Sequence, residues 1–203
     1  HQHARGRAAF MLGELAHAQG EAARGHYEHA LKIADGLLAQ QRGDPDASRG
    51  YARARGRLAE LDAAEGERER ALSGAQGALA LLRATAAQIG ETPELAADIA
   101  DAELLLGALE LDANQPASAR RRFGEAIGRY EALAVTEKDE PHWRAVLSDA
   151  WALAAEADYV RGAPDAAREA MDKSLHARIR LAAADAHEAW ALAGTWRVRA
   201  ALR

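Results

Sequence analysis

The chain has 203 residues, with 26 Lys and Arg against 31 Asp and Glu, a formal net charge of −5 and no cysteine. That balance argues against a nucleic-acid surface, which needs a basic stripe, and the missing thiols exclude disulfides, thiol catalysis and cysteine metal sites. Hydrophobic content is 49% but aromatic content only 5%, because much of the apolar share is alanine, a strong helix former.

Residues 1 to 18 read as a first helix that begins without a cap or proline. Residues 20 to 41 read as its partner, with Ala23, Tyr27, Ala30, Leu31, Ala34 and Leu38 on one helical face. Asp44-Pro45 then opens a unit that runs to Glu91. An N-cap residue before a proline at the first helical position, where no amide hydrogen is needed, is a start signal. This unit shows Tyr51, Leu58 and Leu61, then Ala71, Ala75, Ala78, Leu79 and Leu82. Gly74 and Gly77 inside its second helix each cost up to about 1 kcal/mol relative to alanine, and close helix packing is the expected compensation. The next unit, Pro93 to Asp139, sets Leu95, Ile99, Leu105, Leu106 and Leu109 against Phe123, Ile127, Tyr130 and Leu133. Its Arg120-Arg121-Arg122 run wraps around a helix, which reads as a solvated face. Pro141 to Glu188 adds Trp143, Trp151, Met171, Leu175 and Ile179. Residues 189 to 203 start a further helix, bearing Trp190, Trp196, Val198 and Leu202, whose partner is missing.

These units are copies. Gly66, Asn114 and Gly162 are spaced by 48 residues, all in turns. Ala71, Ala119 and Ala167 keep that spacing, as do Ala75, Phe123 and Met171. Pro45, Pro93 and Pro141 keep it in the connectors, and Pro116 and Pro164 inside the unit. The repeats span about 1–44, 45–92, 93–140 and 141–188, with a partial one at 189–203.

Leu106-Gly107 followed by Ala119, Phe123 and Pro141 resembles the tetratricopeptide repeat, a helix–turn–helix unit. Leu12-Gly13, Ala23 and Tyr27 match it in the first copy, Leu58-Ala59 and Ala71 in the second, Trp151 with Ala154-Ala155 in the fourth. The usual unit is about 34 residues. The longer unit here implies helices lengthened by about two turns each, which keeps their apolar faces in phase. Long units with Pro-x-Trp connectors, as in Pro141-His142-Trp143, look like repeats appended to bacterial signalling kinases and ATPases. Gly13 to Ala23 is two residues shorter than Gly107 to Ala119, so the first turn is expected to be tighter.

The expected fold is therefore all-α: a right-handed alpha-alpha superhelix of four helical hairpins plus one C-terminal helix, a single repeat domain over 1–203 cut from a longer protein. Terminal repeats normally carry a polar outer face. Trp190 and Trp196 are thus candidates for contact with another domain or with a second copy in a homodimer.

Little in the sequence carries chemistry. His26 and His29 could share a helical face, but no third zinc ligand accompanies them, so two exposed histidines is the plainer reading and no metal is expected. Asp62, Glu110 and Asp158 occupy one column of the repeat. A paired-carboxylate hydrolase needs acids about 5–10 Å apart. Since an acid recurs at this position in three copies, salt bridges between stacked repeats are the expectation. Asp98, Asp101 and Glu103 read as a solvated charge cluster. Gly-rich phosphate loops and a nucleophile elbow are absent. No enzyme activity and no cofactor are expected. No apolar run has transmembrane length and no signal peptide is visible at His1, so the expected location is the cytoplasm, with no membrane contact.

What remains is the inner face that the resemblance implies for the first helices. By position it comprises Arg7, Phe10, Glu14 and His17, then Arg53 and Glu60, Asp101 and Leu104, and Asp149, Glu156 and Tyr159. Solvated side chains are the plain reading. The functional one is a non-enzymatic module that binds a protein or peptide there, as part of a larger bacterial signalling protein. Two alternatives stand beside it: a structural spacer or homo-oligomerisation scaffold, and a ligand sensor or enzyme segment with a site between helices.

Overall fold

The computed structural model describes residues 1–19, 22–136 and 141–182. Trp190, Trp196 and the rest of the partial repeat lie outside the described residues, as do Gly20 and Glu140. Among the described residues the chain forms helices in consecutive hairpins, with no strand. These are α1 (Gln2–Ala18) with α2 (Arg24–Gln40), α3 (Pro45–Ala64) with α4 (Arg68–Ile89), α5 (Pro93–Asp112) with α6 (Pro116–Thr136), and α7 (Pro141–Val160) with α8 (Pro164–Ala182). No helix among them is long and apolar enough to cross a membrane.

The chain divides into two compact units, His1–Leu105 and Leu106–Arg203, with the boundary inside α5. In the first unit α2 packs on α1 and also on α3, and α3 on α4. In the second, α6 packs on α7 and α7 on α8. The second helix of one hairpin thus also covers the first helix of the next, and this is how alanine-rich faces find partners. Tyr27 of α2 shows it, sharing a core cluster with Ala16 of α1 and Leu58 of α3.

Local sequence explains the helix ends. Asp44 accepts a hydrogen bond from the Ala47 amide at 3.0 Å, ahead of Pro45. Thr92 caps α5 in the same way, accepting from the Leu95 amide at 3.3 Å. The α1 N-terminus has no side-chain cap. The second helix of the first hairpin starts at Arg24, four residues later than its sequence suggests, and Ala23 offers no side chain to cap it.

The hairpin turns at 66, 114 and 162 are one structure made three times. Gly66, Asn114 and Gly162 take φ of 85°, 58° and 79°, the left-handed region that glycine and asparagine tolerate best. Each turn closes with two bonds, one from that residue's amide and one from the next. Gly66 donates to Ala63 O and Glu67 to Asp62 O, at 3.0 and 2.8 Å. Asn114 donates to Leu111 O and Gln115 to Glu110 O, at 2.9 and 2.8 Å. Gly162 donates to Tyr159 O and Ala163 to Asp158 O, at 3.0 and 2.9 Å. This is the Schellman arrangement, which satisfies carbonyls that a helix end leaves open.

Of the two glycines inside α4, Gly74 is buried, with Arg55 and Ala59 close to where a side chain would begin. Gly77 has nothing within 4 Å of that position, so close packing does not account for it.

Candidate partner-binding face

The acid column is consumed by ion pairs. Arg24 of α2 reaches Asp62 of α3 at 2.9 Å, and Arg70 joins at 2.9 Å. Arg120 of α6 reaches Asp158 of α7 at 3.0 Å, and Arg161 joins at 2.7 Å. Both Arg24–Asp62 and Arg120–Asp158 span 38 residues, so one device recurs two repeats apart. The intervening copy has Leu72 in the arginine column, and Glu110 takes Arg122 of its own hairpin at 3.3 Å. The expectation of salt bridges between stacked hairpins holds for Asp62 and Asp158, whereas the bridge from Arg122 to Glu110 lies within one hairpin. Carboxylates held this way are not available as an acid–base pair.

Two sequence expectations need correction. Asp98 and Glu103 are buried rather than solvated. Asp98 takes Arg49 on one oxygen and Arg53, at 3.0 Å, on the other, and Glu103 takes Arg83. Only Asp101 of that cluster is exposed. Likewise Arg120 and Arg122 are half-buried partners of Asp158 and Glu110, leaving Arg121 as the exposed member of the run. Helical position alone hid these pairs, because most of the partners come from other helices.

On the first helices, Arg7, His17, Arg53, Glu60, Asp101, Asp149, Glu156 and Tyr159 are exposed, while Phe10, Glu14 and Leu104 are half-buried. Arg57 joins two of them, bonding Glu14 at 2.8 Å and Glu60 at 2.9 Å. Glu14 also accepts from the Tyr27 hydroxyl at 2.7 Å. Burial pushes the Glu14 carboxyl up, but the bonds from Arg57 and Tyr27 outweigh it and hold it below the usual carboxylate value. Burial, with the bond to Glu14, pushes the Tyr27 phenol up to about 12. Phe10 packs on Tyr27, ring centroids 5.6 Å apart, so it belongs more to the core than to the surface. Asp149 pairs with Arg178 of α8. Arg7, Phe10 and Arg53 line one pocket with residues of α2.

Among the described residues no cluster of three or more His, Asp or Glu is arranged to hold a metal. His26 and His29 are exposed on α2.

The repeat's character is decided where its signature residues meet. Gly107 of α5 lies against Phe123 of α6, so close that a Cβ on Gly107 would stand 2.6 Å from Phe123 Cε1. Gly13 of α1 meets Tyr27 of α2 in the same way. The fold is a tetratricopeptide-like helical repeat. No protein-family model matches the sequence, and no curated protein does. Among solved structures, this tetratricopeptide-like chain is similar to BtubC (BKLC) from P. vanneervenii, at 20% identity and TM-score 0.65, over 99% of this chain and 82% of that one. It is also similar to the yeast histone chaperone Hif1, described as a scaffold protein recruiting protein complexes to core histones. That match has 16% identity and TM-score 0.61, over 97% of this chain and 94% of the other. At these identities the likeness speaks for the fold.

Proposed function

We propose that this chain is a non-enzymatic protein-interaction module that binds a peptide or partner domain along its first helices, as a segment of a larger bacterial signalling protein. The observation that carries the reading is the division of labour among the charges. The acid column at Asp62 and Asp158 is spent on bracing hairpins, while Arg7, Arg53, Asp101 and Asp149 fall in one column of the first helices and keep exposed side chains, even where Arg53 and Asp149 also pair with Asp98 and Arg178. A surface built on braced helices is ordered before binding, which lowers the ordering cost. The scaffold role stated for Hif1 fits such a use of the fold.

Site-specific photo-crosslinking tests it. A benzophenone amino acid is placed in the full-length protein at Glu60, Asp101 or Glu156, and in parallel at Gln76, Glu125 or Arg168 of the second helices. Discrete adducts from the first set alone are expected. Adducts confined to the second set, or none from either, reject the reading.

A further inference from the structure

The first unit contains a pocket of about 200 Å³ between α1, α2 and α3. Its apolar lining includes Phe10, Met11, Ile33, Ala34 and Leu37, and Arg7, Arg49 and Arg53 stand around it. Repeat columns explain why it is there. Ala34 occupies the position held by Leu82 and Tyr130 in the next two copies, and both of those side chains are fully buried. Gly6 stands where later copies have Ala52, Ala100 and Ser148. Gly50 stands where they have Asp98 and Val146. Ala34 and Gly50 therefore leave open a space that larger residues occupy elsewhere in the same chain, while Gly6 makes room for Ile33, whose Cγ2 lies 3.2 Å from where a Cβ would stand.

Charge changes in parallel. The column that reads Arg7 and Arg53 here reads Asp101 and Asp149 in the later copies. Arg49 and Arg53 share Asp98, and His3 faces Asp44 at 3.2 Å. Arg7 makes no ion pair among the described residues, and Asp46 is the carboxylate in the lining. Of the three arginines in the lining, Arg49 and Arg53 are thus neutralised in part by Asp98, and Arg7 is the one left to face an incoming carboxylate.

We infer that this pocket is an anchor site for a peptide segment in which a bulky apolar side chain stands next to a single acidic residue. Size excludes the larger occupants. A drug-sized or cofactor ligand needs about 300–1,000 Å³, whereas an apolar cavity of about 150 Å³ holds a benzene ring. One leucine- or phenylalanine-sized group fits, and the neighbouring carboxylate meets Arg7. The inference rests on the partner-binding reading above and names the chemistry of its anchor.

The test is fluorescence anisotropy with a labelled decapeptide of Gly and Ser carrying a central Phe-Asp pair. Companion peptides carry Ala for the Phe or Asn for the Asp. Saturable binding is expected, weakened about tenfold by either companion change, each worth about one decade of affinity, and weakened again by added salt. Ala34→Leu copies the filled columns and should lose binding while keeping its helical circular dichroism. Arg7→Asp, on an exposed residue, should lose it with no risk to folding. Equal affinity for the Ala peptide, or unchanged binding by both variants, overturns the inference. So does absence of binding by the unaltered chain. Cross-links from Glu60 or Glu156 that persist in the Ala34→Leu chain, with peptide binding unaltered, would sink the pocket and leave the first-helix reading standing.

Discussion

Tyr27 lies against Gly13 so closely that a Cβ there would stand 2.5 Å from Tyr27 Cε1 and 2.7 Å from Cδ1. The ring cannot easily move, because its hydroxyl is held by Glu14 and its face by Phe10. The same economy of volume runs through the repeat. Where the first helix has Gly13 or Gly107, the second has Tyr27 or Phe123; where it has Ala59 or Ala155, the second has Ala75 or the flexible Met171.

Two effects compete when alanine replaces Gly107. Helix propensity favours the change by up to about 1 kcal/mol, and overpacking opposes it by about 1–3 kcal/mol. Because Phe123 is fully buried, overpacking should win. Gly107→Ala is expected to lower stability in urea denaturation. Gly128→Ala, with nothing within 4 Å of its new methyl, should raise it by about 0.5–1 kcal/mol.

The buried carboxylate of Asp158 gives a second expectation. Losing one partner of a buried pair costs about 3–5 kcal/mol. Arg120 and Arg161 are partly exposed here, so water recovers some of that and about 1–3 kcal/mol remains for Asp158→Asn. Arg121→Ala, on the exposed member of the same run, should stay within about 0.5 kcal/mol. Denaturant midpoints of the two variants check both.

Stability should decline at both ends of the pH scale. Glu14 is held below its ordinary value of 4.5, so its contribution is complete above that pH and is lost as pH falls through the lower folded value. Tyr27 is raised from 10.0 to about 12. Its contribution is complete below pH 10.0 and is lost as pH rises toward about 12, because the unfolded phenol releases its proton first. Thermal melts across pH should show both losses. Tyr27→Phe should remove the alkaline one and shrink the acid one.

The hairpins, the turns at Gly66, Asn114 and Gly162 and the cap at Asp44 were legible in the sequence because local residues carry them. Pro45, Pro93, Gly66, Asn114 and Gly162 mark boundaries wherever they occur. Asp98 and Glu103 were not legible in the same way. Their arginines lie on other helices, Arg53 and Arg83 being 45 and 20 residues away, and only packing brings them together. On the candidate face, Arg53 and Glu156 were placed by the tetratricopeptide resemblance, and both are exposed. The pocket beside Arg7 depends on volumes missing at Ala34 and Gly50, which no single copy reveals.

The central claim is that one hairpin, closed by one kind of turn, is repeated to build the surface. Amide hydrogen exchange of the folded chain tests it most directly. The amides of Glu67, Gln115 and Ala163, each bonded to the carbonyl of the buried acid five residues earlier, should be protected to a similar degree. Exchange at open-chain rates at these positions, or protection at just one of them, would contradict it.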